Sequence, residues 1–114
     1  MVAVRRGDVF VANLDPTIGV EIKKTRPVIV LSNDNINRFS QLAVVVPLTK
    51  NIAHLSPSHA LIPKGVARLT FASKAVTEQI KAVDKRRLVK RLGALSPALF
   101  GQIERALKNT LAFP

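Results

Sequence analysis

Cysteine is absent from this sequence, and so are tryptophan and tyrosine. Without cysteine neither a disulfide framework nor a thiolate metal site can be built. That absence fits a reducing compartment. The aromatics are five phenylalanines, too few for a platform that stacks many bases. Long apolar runs are missing too. The longest, Leu42 to Val46, falls far short of a membrane span. The first ten residues carry Arg5, Arg6 and Asp8 and have no apolar h-region, so they do not read as a signal peptide. A soluble, cytoplasmic protein is the simplest expectation.

Conventional catalytic groups are scarce. There are two histidines, His54 and His59. Such a pair can cleave RNA by general acid–base chemistry. But the first falls in a predicted loop and the second opens a predicted strand, where most histidines are exposed or satisfied. No third ligand stands at metal-site spacing and acids are few, which argues against a zinc or two-metal nuclease. No phosphate-loop or dinucleotide glycine motif occurs, so no nucleotide cofactor is expected. The acids Glu78 and Asp84 read as ordinary surface partners of Lys81, Lys85 and Arg86 rather than as a catalytic dyad.

What the chain does have is positive charge. It carries 18 lysines and arginines against 7 acids, a net charge of +11 and a pI near 11.3. Such a balance points to a polyanionic partner, nucleic acid above all, with a merely solubilising surface as the bland alternative. With 114 residues, 47% of them hydrophobic, the sequence suggests one domain over residues 1–114 with a real core. The dense run Lys81, Lys85, Arg86, Arg87, Lys90, Arg91 reads equally as a solvated face or as phosphate contact.

Hydrophobic patterning gives a mainly β chain with one helix at its end. Asp8 to Leu14 reads as a strand buried on both faces. Asp15-Pro16 breaks it, and a long polar loop runs to Thr25. A second strand covers Val28 to Ser32. Asn33 to Asn37 reads as a turn. Leu42 to Leu48 is a central strand whose Pro47 belongs at an edge or bulge. His59 to Ile62, Ala67 to Ser73, Thr77 to Val83 and Val89 to Leu92 are further short strands. Short strands at modest spacing argue for a small barrel. Ser96-Pro97 then starts a helix, serine as N-cap and proline in the first turn. Its expected apolar stripe is Leu99, Ile103, Leu107 and Leu111, with Phe100 and Ala106 beside it.

The stretch Gly19 to Asp34 joins a cationic loop to a hydrophobic strand. Arg26 directly precedes Pro27 and is therefore pushed towards extended geometry. If the second and third strands pair antiparallel, Arg26 and Thr49 converge on one rim. A guanidinium is a rigid fork for phosphate oxygens, and threonine adds a hydroxyl. Together they can stabilise the extra charge of a pentavalent phosphorus transition state.

At these residues the chain resembles the MazF/PemK family of toxin endoribonucleases. The match runs through Arg6-Gly7-Asp8-Val9, Leu14-Asp15-Pro16, Gly19, Arg26-Pro27-Val28, Asn37-Arg38-Phe39-Ser40 and Pro47-Leu48-Thr49. It continues through Glu78-Gln79-Ile80, Val83 to Leu88, and Leu92-Gly93. The resemblance implies an SH3-like barrel with a C-terminal helix, usually as a homodimer. It implies metal-independent, sequence-specific cleavage of single-stranded RNA, neutralised by a cognate acidic antitoxin. Arg26 and Thr49 map to the family's functional arginine and threonine. Glu21, Lys23, Lys24 and Gln79 are expected along the RNA path. Two positions depart from the family pattern: Val20 stands where serine is common, and Phe10 where Trp or Tyr is. Two alternatives belong to other classes, a CcdB-like toxin that binds DNA gyrase and a structural RNA-binding protein.

Overall fold

The computed structural model describes residues 3–114. The largely apolar string near the start of the chain forms β1 (Asp8–Asn13). Its two faces enter two different cores, Val9 one and Phe10 and Ala12 the other. β2 (Thr25–Val30) pairs antiparallel with it, Phe10 opposite Val28 and Ala12 opposite Arg26. β2 begins earlier than Val28 because Thr25 and Arg26 already join the ladder, and it ends at Val30 rather than Ser32.

The expected turn at Asn33 to Asn37 is instead a short helix, α1 (Asp34–Phe39). Asn33 is its N-cap, its Oδ1 accepting the Ile36 N–H at 2.9 Å. Asparagine and aspartate favour turns and helix caps through the same short side chain, so the string N-D-N-I-N was open to both readings. Asn37 is buried, and its Nδ2 donates to the Ser32 carbonyl at 2.8 Å.

β3 (Leu42–Thr49) is the central strand. One edge pairs with β2. The other pairs first with β6 (Lys81–Asp84) and then with β5 (Ser73–Val76). Pro47 lies inside this strand rather than at a sheet edge. Among the described residues, Val46 and Pro47 have no register partner on the β5/β6 side, so the missing proline N–H falls where the partner changes. β4 (His59–Ile62) adds to β5, and β7 (Leu88–Ala94) adds to β1. The sheet is antiparallel and seven-stranded: six strands follow the order β4-β5-β3-β2-β1-β7, and β6 pairs with β3 off this path.

The small barrel expected from the sequence takes the form of a barrel-like, open sheet. Among the described residues no ladder joins β4 to β7. Side-chain and turn packing covers that seam. The one-turn helix Val66–Arg68 lies so close to β7 that a Cβ on Gly93 would meet the Ala67 Cα at 2.9 Å. Only glycine fits that approach.

Two expected strands are displaced. The one over Ala67 to Ser73 does not form: residues 66–68 turn, and β5 begins only at Ser73 and runs to Val76. Thr77 to Val83 opens with a turn, Thr77–Gln79, and its strand, β6, begins at Lys81. Thr77 is fully buried and its Oγ1 donates to the Ser58 carbonyl at 2.6 Å. That bond turns the chain where β-propensity alone would have continued it.

α2 (Pro97–Leu111) starts as the sequence predicts, Ser96 Oγ accepting the Leu99 N–H at 3.3 Å. Its buried face is Phe100, Ile103 and Ala106, packed on Val9, Ile29, Val46 and Leu48. The expected row at strict spacing of four does not hold. Each step of four overshoots one turn by about 40°, so the row winds off the core. Leu111 ends 43% exposed. The Arg6 guanidinium lies 4.3 Å from the Phe100 ring centre and reaches Glu104 at 3.2 Å, tying the N-terminal segment to α2.

Between β6 and β7, Asp84 caps the turn Lys85–Arg87. Its Oδ1 accepts the Arg86 N–H at 2.9 Å, and its two oxygens accept Arg86 Nε and Nη2, both at 3.0 Å. The Arg86 side chain, followed by its backbone N–H, pulls the Asp84 carboxyl down to about 2. A depressed acid stabilises the fold above its ordinary titration range and loses that contribution as pH falls towards its folded value. Asp84→Asn should therefore melt below the parent near neutral pH. The two melting curves should converge as pH drops from about 4 to about 2. A gap that stays constant over that window would show that the carboxylate's charge is not what matters.

Candidate functional site

β2 and β3 run in a fixed register, Val28 opposite Pro47 and Val30 opposite Val45. The ladder ends at the Val28–Pro47 pair, and it leaves Arg26 and Thr49, each two residues beyond that last pair, at the same end of the two strands. Side chains alternate along a strand. Arg26 therefore shares a face with Val28 and Val30, and Thr49 with Val45, and these three valines belong to one core. Pro27 holds Arg26 in extended backbone at this place.

Arg26 is half-buried, and its Nε donates to the Lys23 carbonyl at 2.9 Å. Among the described residues its terminal nitrogens have no hydrogen-bond partner and it joins no ion pair. One bond thus orients the guanidinium while its outer donors point to no protein group. Thr49 is also half-buried. Its Oγ1 accepts the Asn51 N–H at 3.2 Å, which leaves its own hydrogen to donate.

A residue the sequence reading passed over supports this turn. Lys74 is the register partner of Thr49 and is only 9% exposed. Its Nζ donates to the Ala53 carbonyl at 2.9 Å. The Ala53 N–H donates to Asn51 Oδ1 at 3.3 Å, and Asn51 in turn donates to Thr49. A buried ammonium therefore pins the turn that holds the Thr49 hydroxyl. No local signal marks Lys74, because its place follows from a strand partner far along the chain.

The loop between β1 and β2 is internally organised. The Lys24 N–H donates to Asp15 Oδ1 at 3.0 Å, and the Lys24 carbonyl accepts the Leu14 N–H at 3.1 Å. Lys24 reaches this position with a positive φ of 71°, uncommon for a residue other than glycine. Glu21 Oε1 accepts the Ile18 N–H and Gln79 Oε1 accepts the Ile22 N–H, both at 2.6 Å. Gln79 thereby fastens the loop to the sheet. Arg87 adds a second clamp, donating to the carbonyls of Asn13 and Asp15. Val20 stands 97% exposed at the loop's end. Phe10, the other departure, is fully buried among apolar side chains, a setting that favours an aromatic without a polar atom.

The predicted site residues separate into two hollows. Lys24 and Arg26 line a cleft of about 320 Å³, with Lys50, Leu69 and Phe71 on its far side. Glu21 and Gln79 line a smaller one of about 160 Å³, with Leu14, Ile22 and Pro47. Lys23 and Thr49 line neither. Lys23 is exposed, and its contribution to the geometry is the carbonyl that Arg26 uses. Lys50 and Phe71 also escaped the sequence reading, since lone residues in loops carry no periodicity.

The two histidines do not converge. His59 Nδ1 accepts the Ser56 N–H at 3.2 Å and its Nε2 meets Glu78 at 3.1 Å, so both ring nitrogens are used. His54 sits in the exposed loop. The basic run at residues 81–91 is partly structural: Arg86 binds Asp84, Arg87 clamps the loop, and Arg91 meets the buried Asp8 at 3.2 Å. Among the described residues no three His, Cys, Asp or Glu side chains gather into a metal-holding set. What the rim offers chemically is a forked cation and a hydroxyl at the same end of neighbouring strands, groups suited to phosphate oxygens.

Comparison with known proteins agrees with this fold. A family model described as PemK-like, MazF-like toxin of type II toxin–antitoxin systems matches residues 5–111. Endoribonuclease MazF9 of Mycobacterium tuberculosis is 36% identical over 110 residues, 92% of this chain and 93% of the relative. Endoribonuclease EndoA of Bacillus subtilis is 36% identical over 110 residues, 96% of this chain and 95% of the relative. Among solved structures, MazF from Deinococcus radiodurans superposes with a TM-score of 0.86 at 20% identity, covering 99% of this chain and 100% of the other. An endoribonuclease from a mycobacterial species, solved with its cognate antitoxin, gives a TM-score of 0.81 at 24% identity, covering 98% of each chain. Neither the gyrase-binding nor the structural RNA-binding alternative gains support from these matches. The chain belongs to the PemK-like, MazF-like family of toxins of type II toxin–antitoxin systems.

Proposed function

We propose that this chain is an endoribonuclease toxin that cuts single-stranded RNA, messenger RNA included, at short sequence motifs. The substrate's own 2′-hydroxyl attacks the adjacent phosphorus. A 2′-oxygen–phosphorus bond forms and the bond to the 5′-oxygen breaks. The proton lost by the 2′-hydroxyl is balanced by one gained at the 5′-oxygen. The products are a 2′,3′-cyclic phosphate and a 5′-hydroxyl.

The observation that carries this reading is the Arg26 guanidinium, oriented by one bond and otherwise unpaired, on the strand beside the free hydroxyl hydrogen of Thr49. Negative charge grows on the phosphoryl oxygens as the fifth bond forms, and preoriented donors stabilise it more than they stabilise the ground state. Arg26 carries that role and Thr49 orients the scissile phosphate. Lys23 and Lys24 draw the RNA backbone in, while Glu21 and Gln79 shape the path on the other side of the rim. The reading assigns no step to a metal or cofactor.

The net charge of +11 suits RNA and an acidic antitoxin segment alike. We place the protein in the cytoplasm as a homodimer of a one-domain chain, held in check by that antitoxin. No helix among the described residues is long and apolar enough to cross a membrane.

Thr49→Ala tests the assignment. Under single-turnover conditions with saturating RNA it should slow cleavage by roughly ten- to a hundredfold while RNA affinity stays near that of the parent. Equal single-turnover rates would remove Thr49 from the chemistry.

A further inference from the structure

The cleft beside Arg26 holds a feature that phosphate binding does not use. Phe71 is 57% exposed and lines the cleft together with Lys24, Arg26 and Lys50. Its backbone is anchored and its ring has a cation nearby. The Ser73 hydroxyl donates to the Phe71 carbonyl at 3.1 Å, and Lys50 Nζ lies 5.0 Å from the ring centre. Beneath it, Leu48 and Leu69 make a buried apolar floor. Among the described residues none of the three cations is in an ion pair.

We propose that this cleft is a subsite for one nucleotide of the RNA next to the scissile phosphate, its base stacked on Phe71 and its phosphate held by Lys24 and Lys50. The inference rests on the endoribonuclease reading above and names a base-contacting residue for it. Every nucleobase has a face that an aromatic ring can stack on, so one exposed ring between cations suits a nucleotide better than a bare anion. The size agrees. A cleft of about 320 Å³ is at the small end of ligand pockets, room for one nucleotide and not for several. An acidic peptide would satisfy the cations and leave the ring without a partner. An aromatic that contacts a single base also fits a chain with five phenylalanines and no other aromatic residue.

That composition supplies the probe. Phe71→Trp introduces the sole indole of the protein, so its fluorescence reports this position alone. RNA made uncleavable by 2′-deoxy substitution at the scissile position should quench it. An abasic nucleotide at one position beside that site should abolish the quenching while leaving binding, followed by anisotropy of labelled RNA, within a few fold. Phe71→Leu keeps apolar bulk without a π-face and should weaken the KM for RNA by about tenfold, whereas Phe71→Tyr should restore it. Bound RNA without quenching, or Phe71→Leu cleaving like the parent, would overturn the subsite and leave the endoribonuclease reading intact. Quenching by an acidic peptide and not by RNA would assign the cleft to a protein partner and overturn the proposal too. A parent protein that cleaves no RNA would instead defeat the reading on which the subsite rests.

Discussion

Arg26→Ala should cleave RNA at least about 100- to 1,000-fold more slowly than the parent, with its fold intact. Loss of one preoriented donor at a developing oxyanion commonly costs that much. Arg26 also carries a full charge, so the lower bound is the conservative one. The fold should survive because the side chain contributes a single hydrogen bond, to the Lys23 carbonyl. Such a bond is worth about 1 kcal/mol net. Arg26→Lys should recover little, since a point charge cannot reproduce the planar fork. Melting curves read beside single-turnover rates check both halves of the prediction. Marked unfolding of Arg26→Ala would mean that the residue is structural and would remove it from the chemistry.

Phe10→Ala should have the largest effect on stability. The ring is fully buried in the core formed by Val28, Val30, Ala43, Val45, Val83 and Leu88. Truncating a buried phenylalanine removes its transfer energy and leaves a cavity, together about 3–5 kcal/mol. Domains of this size are stable by only about 5–15 kcal/mol, so the change consumes a large share. The melting temperature should fall by roughly 10–20 °C. The same variant speaks to function. Phe10 lies opposite Val28 in the β1–β2 ladder, and that ladder carries Arg26 opposite Ala12. Below its melting temperature the variant should retain most of its cleavage rate. A melting temperature within a few degrees of the parent would show that this core repacks freely around the lost ring.

The two variants separate what was legible in the sequence from what was not. The apolar runs of β1 and β3 and the Ser96-Pro97 start of α2 could be read directly, because each is a local pattern with a local cause. So could the antiparallel pairing that brings Arg26 and Thr49 to one rim, since short strands in succession usually pair. Other features turned on side-chain bonds and helical geometry that the apolar pattern does not encode. Asn33 begins a helix rather than a turn because Asn37, within that helix, is bonded to Ser32 and buried. The strand expected over Thr77 to Val83 starts late because the Thr77 hydroxyl finds a carbonyl on another segment. The stripe of α2 is Phe100, Ile103 and Ala106 because helical geometry, and not a spacing of four, selects the face.

The site follows the same division. Arg26 announces itself through Pro27 and the loop charge. The family resemblance puts Gln79 near the RNA path, and the structure shows it fastening the loop through Ile22. Lys74, Lys50 and Phe71 have no motif of their own. Lys74 acquires its place by pairing with Thr49, and Phe71 by lining a cleft whose other wall is Arg26.

The central claim is that Arg26 and Thr49 promote attack by the substrate's own 2′-hydroxyl. Purified protein incubated with single-stranded RNA of varied sequence in EDTA, with the ends of the products mapped, tests it most directly. The account predicts cuts at defined motifs that leave 2′,3′-cyclic phosphates and 5′-hydroxyls. Intact RNA across all sequences, or products ending in 3′-hydroxyls and 5′-phosphates, would contradict it.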